Sequence, residues 1–115
     1  MHELSIALSM IDGVLEEAGK RGGAKVEAVH LKLGVFSGVN QDALLFSYGL
    51  ACEGTLLEGS RLLIEDVPLL IYCPACETER AARSEQELCC SICSTPAARI
   101  VRGQELEVTA LEIAA

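Results

Sequence analysis

Five of the six cysteines of this 115-residue chain fall within Tyr72–Thr95, YCPACETERAARSEQELCCSICST. Cys73 and Cys76 form one CxxC pair, Cys90 and Cys93 form a second, and thirteen residues separate the two. No other feature constrains the fold as strongly. A CxxC turn aims two sulfurs at one point, and a second turn facing it completes a tetrahedron suited to zinc. The stretch 70–99 has few large side chains and cannot bury a core of its own. Structural zinc supplies on the order of 10 kcal/mol of folding free energy, enough to replace that core. Four thiolates leave no open coordination position, so the ion is structural and not catalytic.

Two other chemistries use the same residues. Iron in a rubredoxin-like site takes the same four sulfurs, and a thioredoxin-like redox centre uses one CxxC at a helix start after a strand. Two pairs in one short insertion fit the second poorly. Cys89, beside Cys90, offers a C-x3-C alternative, but the spacing of Cys90 to Cys93 repeats that of the first pair. Cys52 lies far from the cluster in sequence and reads as a small buried hydrophobe.

The remainder of the chain alternates between two periods. Apolar residues from Leu4 to Ala18 recur at three-to-four spacing, which predicts a helix that stops at the glycines near 19–23. Val29, Leu31, Leu33 and Val35 alternate with His30, Lys32 and Gly34, as in a strand with one face on a core. Asn40 caps a second helix whose stripe is Leu44, Leu45, Tyr48 and Ala51 or Cys52. Strands follow at Arg61–Val67 and Glu105–Ile113. The fold expected is α+β: a three-stranded sheet with two helices, plus an inserted zinc-ribbon module. Residues 1–69 and 100–115 would form one domain and 70–99 the zinc-binding module.

Seventeen acidic residues against nine basic ones give a net charge of −8. This excess opposes a phosphate backbone, whose affinity rests on Lys and Arg, so nucleic acid is a poor partner. The N-terminus lacks a basic leader, and no apolar run reaches membrane-spanning length, which predicts a cytoplasmic protein with reduced thiols. No nucleophile, base and oxyanion constellation is visible, so the chain reads as a non-enzyme. His30 sits on the polar face of its strand and reads as an ordinary surface histidine.

Taken alone, MetHisGlu at the start is a weak signal. The bulk of His2 should retain Met1, leaving an amine, two backbone amides and an imidazole in one short segment. Such nitrogens wrap a square-planar Ni(II) or Cu(II) once the amides lose their protons.

MHELSIA, LKLGVFSGV at 31–39, LLFSYGLACEGT at 44–55, LLIEDVP at 62–68 and the paired CxxC knuckles together resemble the HypA/HybF family of hydrogenase nickel-incorporation proteins. The resemblance spans essentially the whole chain, in order. It implies a nickel metallochaperone with a nickel site on Met1, His2 and Glu3 and a zinc site on Cys73, Cys76, Cys90 and Cys93. Its implied partners are the GTPase HypB, the large subunit of [NiFe]-hydrogenase and, for some relatives, urease accessory proteins, with the chaperone a monomer or weak homodimer. Family members often carry an acidic residue where this chain has Asn40, so Asn40 is either a nickel contact or only the helix cap already assigned. The reading from another class is a zinc-ribbon adaptor in transcription or RNA handling; its usual basic surface and exposed aromatics are scarce here.

Overall fold

The computed structural model describes residues 3–114. Its elements run α1 (Glu3–Lys20), β1 (Val26–Gly34), α2 (Gln41–Cys52), β2 (Arg61–Val67), β3 (Leu70–Cys73), β4 (Thr78–Ala81), β5 (Arg99–Arg102) and β6 (Leu106–Ile113). The α+β order expected from the apolar pattern is the one adopted. One three-stranded sheet has the order β2-β1-β6, and a second, built from the cysteine-rich insertion, has the order β4-β3-β5.

The chain divides into two compact units. The first comprises Met1–Leu31, Val39–Glu65 and Glu107–Ala115; the second comprises Lys32–Gly38 and Asp66–Leu106. In the first unit the core is aliphatic, as a chain with four aromatic residues requires. Helix α1 buries Ile6, Ala7, Ile11, Val14 and Ala18. That stripe is narrower than the sequence suggested, because a helix turns about 100° per residue and cannot hold every apolar residue on one side. Leu4 and Leu8 therefore face outward, each 46% exposed. Arg21 and Gly23 both donate to the carbonyl of Ala18, and Gly22 has φ +81°, which ends the helix where the glycines predicted.

Helix α2 packs against α1. Asn40 Oδ1 accepts the Ala43 N–H at 2.8 Å, the side-chain cap expected of an asparagine in extended conformation before a helix. Leu44, Tyr48 and Cys52 face the core at four-residue intervals, while Leu45 turns out. Burial pushes the Tyr48 phenol up to about 12, and its hydroxyl lies 2.7 Å from Ser60 Oγ, which fixes the chain after the helix. Strand β6 alternates in sequence and lies at the sheet edge, but Leu106 and Val108 remain exposed.

In the second unit, the segment after β1 crosses the segment before β6 at very close range. Gly34 donates to the Glu105 carbonyl and Phe36 to the Gly103 carbonyl, both at 2.7 Å. A Cβ at Gly34 would lie 2.0 Å from the Gly103 carbonyl oxygen and 2.6 Å from the Gln104 nitrogen. Those atoms are backbone and cannot swing aside. Gly103 itself has φ +118°, outside the range of other residues, and its N–H is held by Glu105 Oε1 at 2.7 Å. That bond holds the Glu105 carboxyl below the usual carboxylate range.

Two substitutions test these restraints by urea unfolding followed by circular dichroism. Gly34→Ala is expected to destabilise by about 3 kcal/mol or more, the upper end for overpacking, because the clash is with main chain. Asn40→Ala is expected to cost about 1 kcal/mol and Asn40→Asp only a small part of that, since aspartate also caps.

Candidate metal centre

The first knuckle follows directly from the β3–β4 hairpin. Cys73 ends β3, pairs in register with Thr78, and the turn between them carries Cys76. The second knuckle is not flanked by full strands. It hangs between two isolated bridges, Ala82 with Cys90 and Cys89 with Pro96. The Thr95 carbonyl accepts the Cys90 N–H at 2.8 Å, and the Ala81 carbonyl accepts that of Ser91 at 3.2 Å. The loop that carries Cys90 and Cys93 is thereby docked on the end of β4.

In both knuckles the residue after the second cysteine adopts the left-handed region: Glu77 at φ 54° and Ser94 at φ 63°. Glycine is the residue that enters this region without cost, and here neither position has it. Just before each left-handed residue, the turn points backbone N–H groups at sulfur. Cys76 N–H donates to Cys73 Sγ at 3.3 Å and Ile92 N–H to Cys90 Sγ at 3.4 Å.

The four sulfurs of Cys73, Cys76, Cys90 and Cys93 all lie within 4.8 Å of one another. Individual separations are 3.5 Å for Cys73 to Cys93, 3.7 Å for Cys76 to Cys93 and 4.0 Å for Cys76 to Cys90. A tetrahedron with zinc–sulfur bonds of about 2.3 Å has edges of roughly 3.8 Å, so the donor set has the size of a zinc site. All six cysteines are free thiols. The sulfur of Cys90, not that of Cys89, belongs to the cluster, and Cys52 stays in the core of the other unit with its thiol pushed up by burial.

The four thiols are not equivalent. Cys73 and Cys90 are fully buried, while Cys76 is half-buried and Cys93 exposed. The Thr95 hydroxyl, 3.2 Å from Cys93 Sγ, followed by the Thr95 backbone N–H and Cys73, pulls Cys93 down to about 6. Cys90 is also lowered, chiefly by the backbone N–H of Cys93. Arg80 is the largest single influence on Cys76 and pulls it down, but Cys73, Cys93, burial and Cys90 together outweigh it and hold Cys76 at about 11. Near neutral pH the cluster therefore presents a thiolate at its exposed corner, the form a metal ion binds.

Arg80 escaped the sequence reading. Its signal was only positional: once Cys73 ends a strand and Cys76 makes the turn, the pleat of the returning strand puts Arg80 on the sulfur side.

Of the remaining sequence candidates, Glu3, Asn40 and His30 lie in the first unit. Met1 and His2 lie outside the described residues. The Glu3 carboxylate accepts the Asn40 backbone N–H at 3.3 Å, which brings those two candidates together at the starts of α1 and α2. Asn40 Oδ1 is meanwhile engaged by the cap. His30 lies apart from both groups, with Nε2 2.7 Å from Glu112 Oε2 on the neighbouring strand.

Comparison with known proteins agrees with this geometry. The profile of the family described as hydrogenase/urease nickel incorporation, metallochaperone, HypA matches residues 1–113. Hydrogenase maturation factor HypA of Roseiflexus sp. (strain RS-1) is 51% identical over 112 residues, covering 97% of this chain and 91% of that protein. Its counterpart in Chloroflexus aurantiacus (strain ATCC 29366 / DSM 635 / J-10-fl) is 43% identical, covering 97% and 98% respectively. The solution structure of the Ni metallochaperone HypA from Helicobacter pylori is similar with a TM-score of 0.65 at 25% identity, covering 100% of this chain and 99% of that one. With a family profile matched from Met1 to Ile113 and a compatible fold, the chain belongs to the HypA family of nickel-incorporation metallochaperones.

Proposed function

We propose that this protein binds Ni(II) through its N-terminal MetHisGlu segment and delivers it during maturation of [NiFe]-hydrogenase, while the four-cysteine site holds a structural zinc ion. The observation that carries the reading is the family match, which begins at residue 1 and so includes the segment with the nickel donors. The donors would be the Met1 amine, the amide nitrogens of His2 and Glu3, and the His2 imidazole. These are nitrogen groups in the arrangement that suits square-planar nickel and not zinc. Asn40 contributes through its backbone N–H, which fixes the Glu3 carboxylate, rather than through its capping oxygen.

Zinc would be held by Cys73, Cys76, Cys90 and Cys93, whose spacing, free thiols and ready thiolate at Cys93 suit it. It supplies charge neutralisation and a covalent-like cross-link to the insertion, and closed coordination keeps it out of any reaction. HypB and the hydrogenase large subunit would exchange nickel with this chain in the cytoplasm, and urease accessory proteins would be clients of the same kind. Among the described residues no helix is long and apolar enough to cross a membrane.

Three outcomes are expected. Elemental analysis gives about one zinc per chain; Cys90→Ala loses it and Cys89→Ala keeps it, and the reverse pattern would mean the wrong cysteine has been chosen. Nickel titration of the full chain produces the absorption of a diamagnetic square-planar complex, absent in His2→Ala and in a chain with one residue added before Met1. Equal binding by all three proteins would remove the N-terminal site and leave the zinc-stabilised adaptor. Acidification releases nickel before zinc, because amide nitrogens regain their protons more readily than zinc-bound thiolates; simultaneous release would place both ions on sulfur.

A further inference from the structure

In the antiparallel register of the β3–β4 hairpin, Cys73 stands opposite Thr78 and Ile71 opposite Arg80. Opposed residues share a face of the sheet, and residues two apart along a strand do too. Arg80 therefore rises from the face that carries Ile71 and Cys73, both 0% exposed. A cation on such a face is uncommon unless something there balances it. No carboxylate does so: among the described residues the arginine ion pairs are Arg21 with Glu17 and Arg83 with Glu87. Arg80 Nε is buried and lacks a hydrogen-bond partner. The groups that hold its charged form are thiols, Cys76 first and then Cys90 and Cys73.

Four thiolates around one divalent cation leave a net charge of −2, carried in part on the fully buried sulfurs of Cys73 and Cys90. Arginine suits that situation, since it stays charged and presents five donors in a rigid plane, while sulfur accepts weakly and from several directions. We propose that Arg80 is the outer-sphere positioning residue of the four-cysteine centre, directing its guanidinium at the Cys76 sulfur and offsetting the excess negative charge of the metal-bound thiolates. The buried Nε that looks unpartnered is then part of a cation whose counter-charge is the loaded cluster. The backbone donors on Cys73 and Cys90 supply those sulfurs with dipoles; Arg80 adds a full charge. The inference rests on the zinc assignment above.

The test uses the full-length zinc-loaded protein, with Arg80→Met and Arg80→Lys as variants. Zinc content is measured first, then the rate of zinc transfer to a chromogenic chelator, then the sulfur-to-metal charge-transfer band after exchange of zinc for Co(II). Arg80→Met is expected to release zinc about 10-fold faster, in line with the loss of other outer-sphere partners. It should also move the cobalt band to longer wavelength, because a nearby cation lowers the energy of the sulfur lone pairs. Arg80→Lys, which keeps charge without the planar fork, should fall between. A role in packing alone would leave the band in place. If Arg80→Met fails to fold, Arg80→Lys carries the test, and a lysine variant with wild-type release and an unmoved band overturns the proposal. Equal zinc content with equal release and identical bands in all three proteins overturns the role of Arg80 alone. Absence of zinc from the wild type overturns the zinc reading and this inference with it.

Discussion

The convergence of four sulfurs is the constraint on which the second unit depends. Residues 70–99 have only Ile71, Cys73 and Cys90 fully buried, far short of an ordinary hydrophobic core. Their two knuckles are each held in a left-handed turn by a residue that is not glycine. Both expenses make sense when the sulfurs share one ion, since metal binding free energy is then folding free energy. The strands β3, β4 and β5 are four residues each and would be marginal alone. Their register matters chiefly because it delivers Cys73, Cys76 and Arg80 to one place.

Much of this was legible in the sequence because it rests on period and spacing. Ile11, Val14 and Ala18 advertise a helix, Arg61–Val67 a strand, and the repeated CxxC a tetrahedral donor set; in the last case equal spacing also separated Cys90 from Cys89. The cap at Asn40 followed from residue type and position. Long-range crossings were not legible. Nothing in GVFSG and RGQEL announces that Gly34 and Gly103 must touch, since that contact joins residues far apart in the chain. Strand β4, TERA, is too polar to look like a strand. It exists because it pairs with β3 and not because it buries a face. Leu4, Leu8 and Leu45 were assigned inward by their chemistry and face outward by helical geometry.

The two units divide the chain's electrostatics unevenly. Eleven of the seventeen acidic residues and four of the nine basic ones fall in the first unit, so it carries seven of the eight net negative charges. The second is nearly neutral because Arg80, Arg83, Arg99 and Arg102 concentrate there, Arg99 stacking 4.6 Å above the Tyr72 ring. An acidic body favours the approach of cations, and a near-neutral module suits a cluster that brings its own negative charge.

Helix α1 has Glu3 in its first described turn, and α2 follows Asn40. An α-helix makes no use of the N–H groups in its opening turn when it builds its ladder. At the start of α2 the Asn40 Oδ1 takes up one of those groups, the Ala43 N–H. The Glu3 carboxylate, bonded to the Asn40 N–H, ties the start of α2 to the first described turn of α1, where the positive pole of the helix favours a negative charge.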